Sequence, residues 1–129
     1  MKVRGYISCV MGCPYDGEIK ADSVLRVARE LRSMGCGELS LGDTVGVGSN
    51  EQTFEMYKTL LEEFKAEDLA SHFHNTYEKA LGNLLVALSM QIPTIDSSVA
   101  GLGGCPYAKG AKGNVPTEDV LFLCELLGI

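Results

Sequence analysis

The sequence predicts an α/β fold of four βα units whose strands lie parallel in one sheet. Short strand patterns alternate four times with amphipathic helical patterns, which implies right-handed crossovers. Residues able to do chemistry, Cys13, Asp43, His72, His74 and Cys105, fall at or just beyond the C-terminal ends of those strands, where parallel α/β proteins build their active sites. At 129 residues the chain is one domain's worth, enough to bury a core and half of a (β/α)8 barrel, which takes about 250 residues.

The first unit begins with residues 3–10, where Val, Tyr and Ile alternate with polar residues until Gly12 and Pro14 stop the strand. A helix opens near Asp22. In it Val24, Leu25, Ala28 and Leu31 recur at three- and four-residue steps opposite Arg26, Arg29, Glu30 and Arg32, and Gly35 ends it. The second strand, residues 38–43, leads through Gly46 and Gly48 to Ser49 or Asn50 as N-cap of a helix with Phe54, Tyr57, Leu60, Leu61 and Phe64 on one stripe. Residues 68–74 form the third strand, followed by a helix carrying Ala80, Leu81, Leu84, Leu85 and Leu88. The fourth strand is residues 94–99, and after a glycine-rich loop Pro116, Thr117 and Glu118 start the last helix, residues 117–127.

Charge and composition exclude several partners. A net charge of −6 with eleven dispersed Lys and Arg is unsuited to nucleic acid or an anionic membrane surface. Five cysteines are an odd number, and the regular apolar periodicity needs no staples, so the reading is free thiols in a reducing compartment. No apolar run approaches the ~18 residues of a membrane-spanning helix. Met1-Lys2 leads into a strand without a targeting segment, so the expected location is cytoplasmic.

Residues 101–114 hold five glycines together with Cys105 and Asn114, between a strand and a helix. Glycine lets the backbone approach a ligand closely, and a thiol on such a loop, with an ordinary pKa of about 8.5, can serve as an acid or base after modest tuning. No Ser-His-Asp or papain-like order is present, which favours proton transfer over a covalent intermediate. The alternation in His72-Phe73-His74 puts both imidazoles on one strand face, within reach of one metal ion, although paired strand histidines can also simply be buried and hydrogen-bonded. Imidazoles suit Zn, Mn, Fe or Co. An oxygen ligand such as the Asn114 carbonyl moves the preference toward Mg or Mn. Asp43, at a strand end beside two glycine-rich turns, is either a turn cap or a ligand-binding carboxylate. Cys36 and Cys124 read as small buried hydrophobes, Cys9 and Cys13 as structural, and Lys109 and Lys112 as solvated or as attractants for an anionic substrate.

Residues 98–114 resemble the signature of the 3-hydroxy-3-methylglutaryl-CoA lyases, and the likeness extends through Thr117-Glu118-Asp119. Residues 8–15, Met34-Gly35-Cys36, residues 40–44 and His72-Phe73-His74 also fit that family. The loop cysteine distinguishes it from the related isopropylmalate and homocitrate synthases and hydroxy-oxovalerate aldolases. The resemblance covers the whole chain but only the C-terminal half of a family member's barrel. It implies a divalent-metal lyase, with Mg or Mn, that cleaves an acyl-CoA substrate to acetyl-CoA and acetoacetate. By that resemblance His72, His74 and Asn114 are metal ligands, His72 also takes part in catalysis, Cys105 is the catalytic thiol of a mobile loop, and Asp43 supports substrate binding and catalysis. Asn75 stands where the family has an aspartate.

The aspartate ligand and neighbouring arginine of the family's first strands have no counterpart by motif in this sequence. Two readings follow: a lyase portion active only when the missing half is supplied, or a non-catalytic half-barrel that binds metal or assembles. A portion of a related carbon-carbon lyase or synthase is a further alternative. For a eukaryotic lyase the compartment would be the mitochondrial matrix. Four strands cut from a barrel would expose two edges and an apolar inward face, so the expectation is a homo-oligomer, or pairing with the N-terminal half.

Overall fold

The chain runs β1 (Arg4–Ser8), a small antiparallel hairpin of β2 (Gly12–Cys13) and β3 (Gly17–Glu18), α1 (Ala21–Ser33), β4 (Glu38–Asp43), α2 (Asn50–Leu61), β5 (Leu69–Phe73), α3 (Ala80–Ser89), β6 (Thr94–Asp96) and α4 (Thr117–Leu127). This is a computed structural model, and it describes residues 1–104 and 113–129. Strands β1, β4, β5 and β6 form one parallel sheet in that order, so the four βα units fold as the sequence predicts. Among the described residues no helix is long and apolar enough to cross a membrane.

Alternation along the strands gives the sheet two unlike faces. One carries Ile7, Leu39, Leu41, Leu69 and Phe73, all buried in the core with Val24, Met56, Leu60 and Leu84 from the helices. Tyr57 of α2 closes this layer. Its buried hydroxyl is 2.7 Å from the Ser71 hydroxyl, and burial pushes the phenol pKa up. Helix α2 starts where its capping box demands, with the Gln52 amide donating to Ser49 Oγ and the Ser49 amide donating to Gln52 Oε1. Helix α4 ends at Gly128, which takes the left-handed conformation at φ 71°.

The opposite face is polar. Arg4, Tyr6, Glu38, Ser40, His72, Thr94 and Asp96 occupy its alternating positions. An apolar inward face was expected from the notion of a core cut in half, and the structure corrects this: the apolar layer lies under the helices, and the uncovered face is held by charges and hydrogen bonds. It is also concave. Strands spaced about 4.8 Å apart would put the two edge strands of a flat four-stranded sheet about 14 Å apart. Yet Arg4 of β1 donates to Asp96 of β6 at 2.7 Å, and Ser40 of β4 reaches past β5 to the same carboxylate at 2.8 Å. The sheet therefore curls toward this face, as the strands of a barrel do.

Four local details differ from expectation. The hairpin of β2 and β3 has no periodic signal because each strand is two residues long. The fourth strand ends at Asp96 and passes into a 3-10 turn at Val99–Gly101. Phe54 is exposed rather than part of the buried stripe of α2, while Phe64, beyond the helix end, is buried. Of the two cysteines expected to be buried, Cys36 is and Cys124 is only partly so.

Candidate metal centre

His72 sits near the C-terminal end of β5, in register with Gly42 on one side and Asp96 on the other, and His74 follows one residue past the end of β5. Their rings are 5.6 Å apart, centroid to centroid, tilted by 41°. The backbone around His74 is tied down: its amide donates to the Asp43 carbonyl at 3.1 Å, and the bonds of its neighbours make it the antiparallel bridge partner of Asn114. The three residues expected to bind a cation, His72, His74 and Asn114, are thus brought to one place.

The two histidines differ in their surroundings. His74 is buried, and its Nδ1 has no hydrogen-bond partner. Burial first, and then neighbouring His72, push its pKa below 6.5 against the opposing pull of Asp43. A neutral imidazole with an orphaned buried nitrogen is a suitable metal ligand, since only an unprotonated nitrogen has a lone pair to give. His72 is partly exposed. Its Nδ1 lies 3.3 Å from Asp96 Oδ2, and the ring packs edge-on to Tyr6 at 6.4 Å.

The glycine-rich segment is anchored beside these residues at both ends. The Asn114 amide donates to the Gly103 carbonyl at 2.9 Å, and Asn114 Nδ2 donates to the Leu102 carbonyl at 3.0 Å. The Asn75 amide donates to the Gly113 carbonyl, and the Val115 amide to that of Phe73. Gly113 has φ 103°, and a Cβ there would stand 2.2 Å from the Gly103 carbonyl oxygen, so only glycine closes this neck. Cys105, Lys109 and Lys112 lie outside the described residues. Asn75 accepts a hydrogen bond on Oδ1 from the Ala80 amide at the start of α3. The neutral side chain thus has a capping task.

Asp43 is 1% exposed, and its carboxylate takes three backbone donors: Gly46 and Val47 on Oδ1, at 2.9 and 3.3 Å, and Gly48 on Oδ2, at 2.8 Å. It shapes the loop between β4 and α2. It is linked to His74 by the backbone bond and by the pull of its charge on that imidazole.

Sequence reasoning missed Asp96 and Arg4. Asp96 joins three partners, with Arg4 on Oδ1 and Ser40 and His72 on Oδ2. Burial pushes its carboxyl pKa up, but the hydrogen bonds from Arg4 and Ser40 and the Arg4 charge outweigh that, so it lies below the usual carboxylate value. The signal in the sequence was weak: scattered charges at alternating strand positions, such as Arg4, Glu38 and Asp96, read as a solvated face. Among the described residues, no group of three or more His, Cys, Asp or Glu is arranged to hold a metal ion. The candidate donors brought together here are two imidazoles and an amide.

The HMGL-like family model matches residues 3–129. The chain is 57% identical over 129 residues to the 3-hydroxy-3-isohexenylglutaryl-CoA/hydroxy-methylglutaryl-CoA lyase of Pseudomonas aeruginosa, covering all of this chain and 43% of that protein. It is 54% identical over 127 residues to the cytoplasmic 3-hydroxy-3-methylglutaryl-CoA lyase of Danio rerio, covering 98% of this chain and 38% of that one. The crystal structure of the hydroxymethylglutaryl-CoA lyase from Pseudomonas aeruginosa superimposes with a TM-score of 0.94 at 57% identity, over 99% of this chain and 43% of the other. The chain thus spans less than half the length of these relatives, and its parallel strands and helices fit half of a barrel.

Proposed function

Because this chain belongs to the HMGL-like family, matched over residues 3–129, we propose that it is the part of a 3-hydroxy-3-methylglutaryl-CoA lyase that carries the metal histidines. The single observation behind this reading is the juxtaposition of His72, His74 and Asn114, with a neutral, buried and unpartnered imidazole at its centre. These residues suit Mn²⁺ or Mg²⁺: the imidazoles give nitrogen, and the Asn114 amide oxygen is a hard donor whose Nδ2 is already committed to loop carbonyls. When bound, the cation supplies positive charge for a retro-Claisen cleavage of the acyl-CoA substrate to acetyl-CoA and acetoacetate.

The chain's own residues hold and move protons. The tertiary hydroxyl must lose its proton and the departing enolate carbon must gain one. His72, the more exposed imidazole, takes part in the first step by holding the cation that would make that hydroxyl more acidic. Cys105, on the glycine-rich loop, takes part in the second. Asp43 fixes the loop from β4 to α2 beside them and supports substrate binding.

Activity of the whole enzyme requires an acidic ligand and an arginine that this sequence does not offer by motif, so we assign them to the remaining portion of the lyase or to an assembly partner, a second copy included. A non-catalytic module that binds metal or assembles is the second reading, and it rests on the same pair of neighbouring imidazoles. The proposed compartment is the cytoplasm, or the mitochondrial matrix for a eukaryotic source.

Calorimetric titration tests the reading. The chain should bind Mn²⁺ weakly, His74→Ala should abolish binding, and with Mn²⁺ present the chain alone should release no acetoacetate from 3-hydroxy-3-methylglutaryl-CoA. Unchanged affinity in the variant would overturn the ligand set. Acetoacetate release by the chain alone would overturn the division of labour.

A further inference from the structure

Asp96 is not a ligand in the reading above, yet three side chains of the concave face converge on it. Its two oxygens have separate tasks. Oδ1 accepts from Arg4 Nη2 at 2.7 Å, while Oδ2 accepts from Ser40 Oγ at 2.8 Å and stands 3.3 Å from His72 Nδ1. Partners on β1 and β4 hold the carboxylate from two directions, so it cannot rotate without losing one of them.

We propose that Asp96 is the positioning residue of His72: the carboxylate, fixed by Arg4 and Ser40, sets the imidazole as the Nδ1–H tautomer and leaves Nε2 as its ligand atom. The inference rests on the reading of His72 as a metal ligand. An arginine has donors only, and a carboxylate paired with it only accepts, so the hydrogen between Asp96 and His72 belongs to the imidazole. Metal-bound histidines commonly give their second N–H to a carboxylate, which fixes ring orientation. Tyr6, edge-on at 89°, limits the ring from another side. His74 has no equivalent, since its Nδ1 lacks any hydrogen-bond partner. The protein thus dictates the tautomer of one imidazole of the pair and leaves that of the other open.

Asp96→Asn gives a sharp test because it should invert the bond. Arg4 can only donate, so the amide oxygen must stay on its side, which turns the NH2 group toward His72 Nδ1. The imidazole must then accept there and carry its proton on Nε2. The chain has only two histidines, so long-range proton–nitrogen spectra of the labelled, metal-free chain at pH 8 can be assigned with one His74 variant. We expect His72 protonated on Nδ1 in the wild type and on Nε2 in Asp96→Asn. A wild-type proton on Nε2, or an unchanged tautomer in a folded variant, would overturn the proposal. A merely structural Asp96 would lower stability without reversing the tautomer. If the variant fails to fold, the wild-type spectrum alone decides. Mn²⁺ titration forms the second arm, with affinity expected to fall about 10–100-fold in Asp96→Asn; equal affinity counts against the proposal. If the wild type binds no Mn²⁺, the metal reading falls, and the tautomer arm still decides the role of Asp96.

Discussion

The two faces of the sheet are built from the same four strands and obey different physics. Under the helices, Leu39, Leu41 and Leu69 are fully buried, and their contribution is area removed from water, which is large and indifferent to direction. On the concave face Arg4, Ser40, His72 and Asp96 are linked by hydrogen bonds whose worth depends on geometry and on which atom carries each proton. Stability is therefore concentrated on one side and chemistry on the other. The chain can tolerate a strained or polar site because an independent apolar layer holds the strands.

The largest test of that separation is Leu41→Ala, at the centre of the covered face. Removing a fully buried leucine side chain typically costs about 2–5 kcal/mol, so the urea midpoint should fall sharply. The His72 nitrogen signals should keep their positions in the variant that remains folded. A shift of those signals would show that the two faces are coupled.

Acid should act through the polar side. His74 has a pKa of 6.5 in the unfolded chain and a lower one when folded, through burial first and His72 second. Between these values the unfolded state binds more protons, so stability falls as pH drops through 6.5 and the loss stops growing below the folded value. Denaturant midpoints of the metal-free chain should decline from pH 7 to pH 5, and His74→Asn should flatten the decline. Identical slopes would mean that burial of this imidazole has no energetic consequence.

The smallest effect belongs to neither face. Arg29 of α1 and Glu63, just beyond α2, are paired in the open, with hydrogen bonding to Arg29 as the main cause of the lowered Glu63 pKa. Long exposed side chains gain little from such pairing, and salt screens what remains. Glu63→Gln should leave the unfolding midpoint unresolved from wild type at low and high salt alike. A clear loss at low salt would place part of the stability on the outer surface.

The covered face was the legible one. Burial imposes periods on a sequence, and the steps at Val24, Leu25, Ala28 and Leu31, or at Leu39 and Leu41, mark which sides of the helices and strands are hidden. His72, His74 and Asn114 were also legible, through alternation and through the glycine-rich loop. The Asp96 network was not, because Arg4 and Asp96 are 92 positions apart and meet only when the sheet curls, a property that local spacing does not encode. The predicted apolar inward face failed for a different reason: it came from the notion of a barrel core cut in half, whereas the residues that alternate onto that face, Arg4, Glu38, Ser40, His72 and Asp96, are polar. The role given to Cys105 falls on residues outside those described.

Asp43 carries one more consequence. Successive backbone N–H groups in a glycine-containing turn form the kind of cup that elsewhere receives a phosphate or another small anion. Here the amides of Gly46, Val47 and Gly48 already have their anion, delivered by the chain from the end of β4. A Cβ at Gly48 would stand 2.9 Å from Asp43 Oδ2, so the carboxylate seat and the missing side chain are fitted to one another. The turn is thus self-liganded: its own carboxylate orders it, and the three amides have no seat left for a free phosphate.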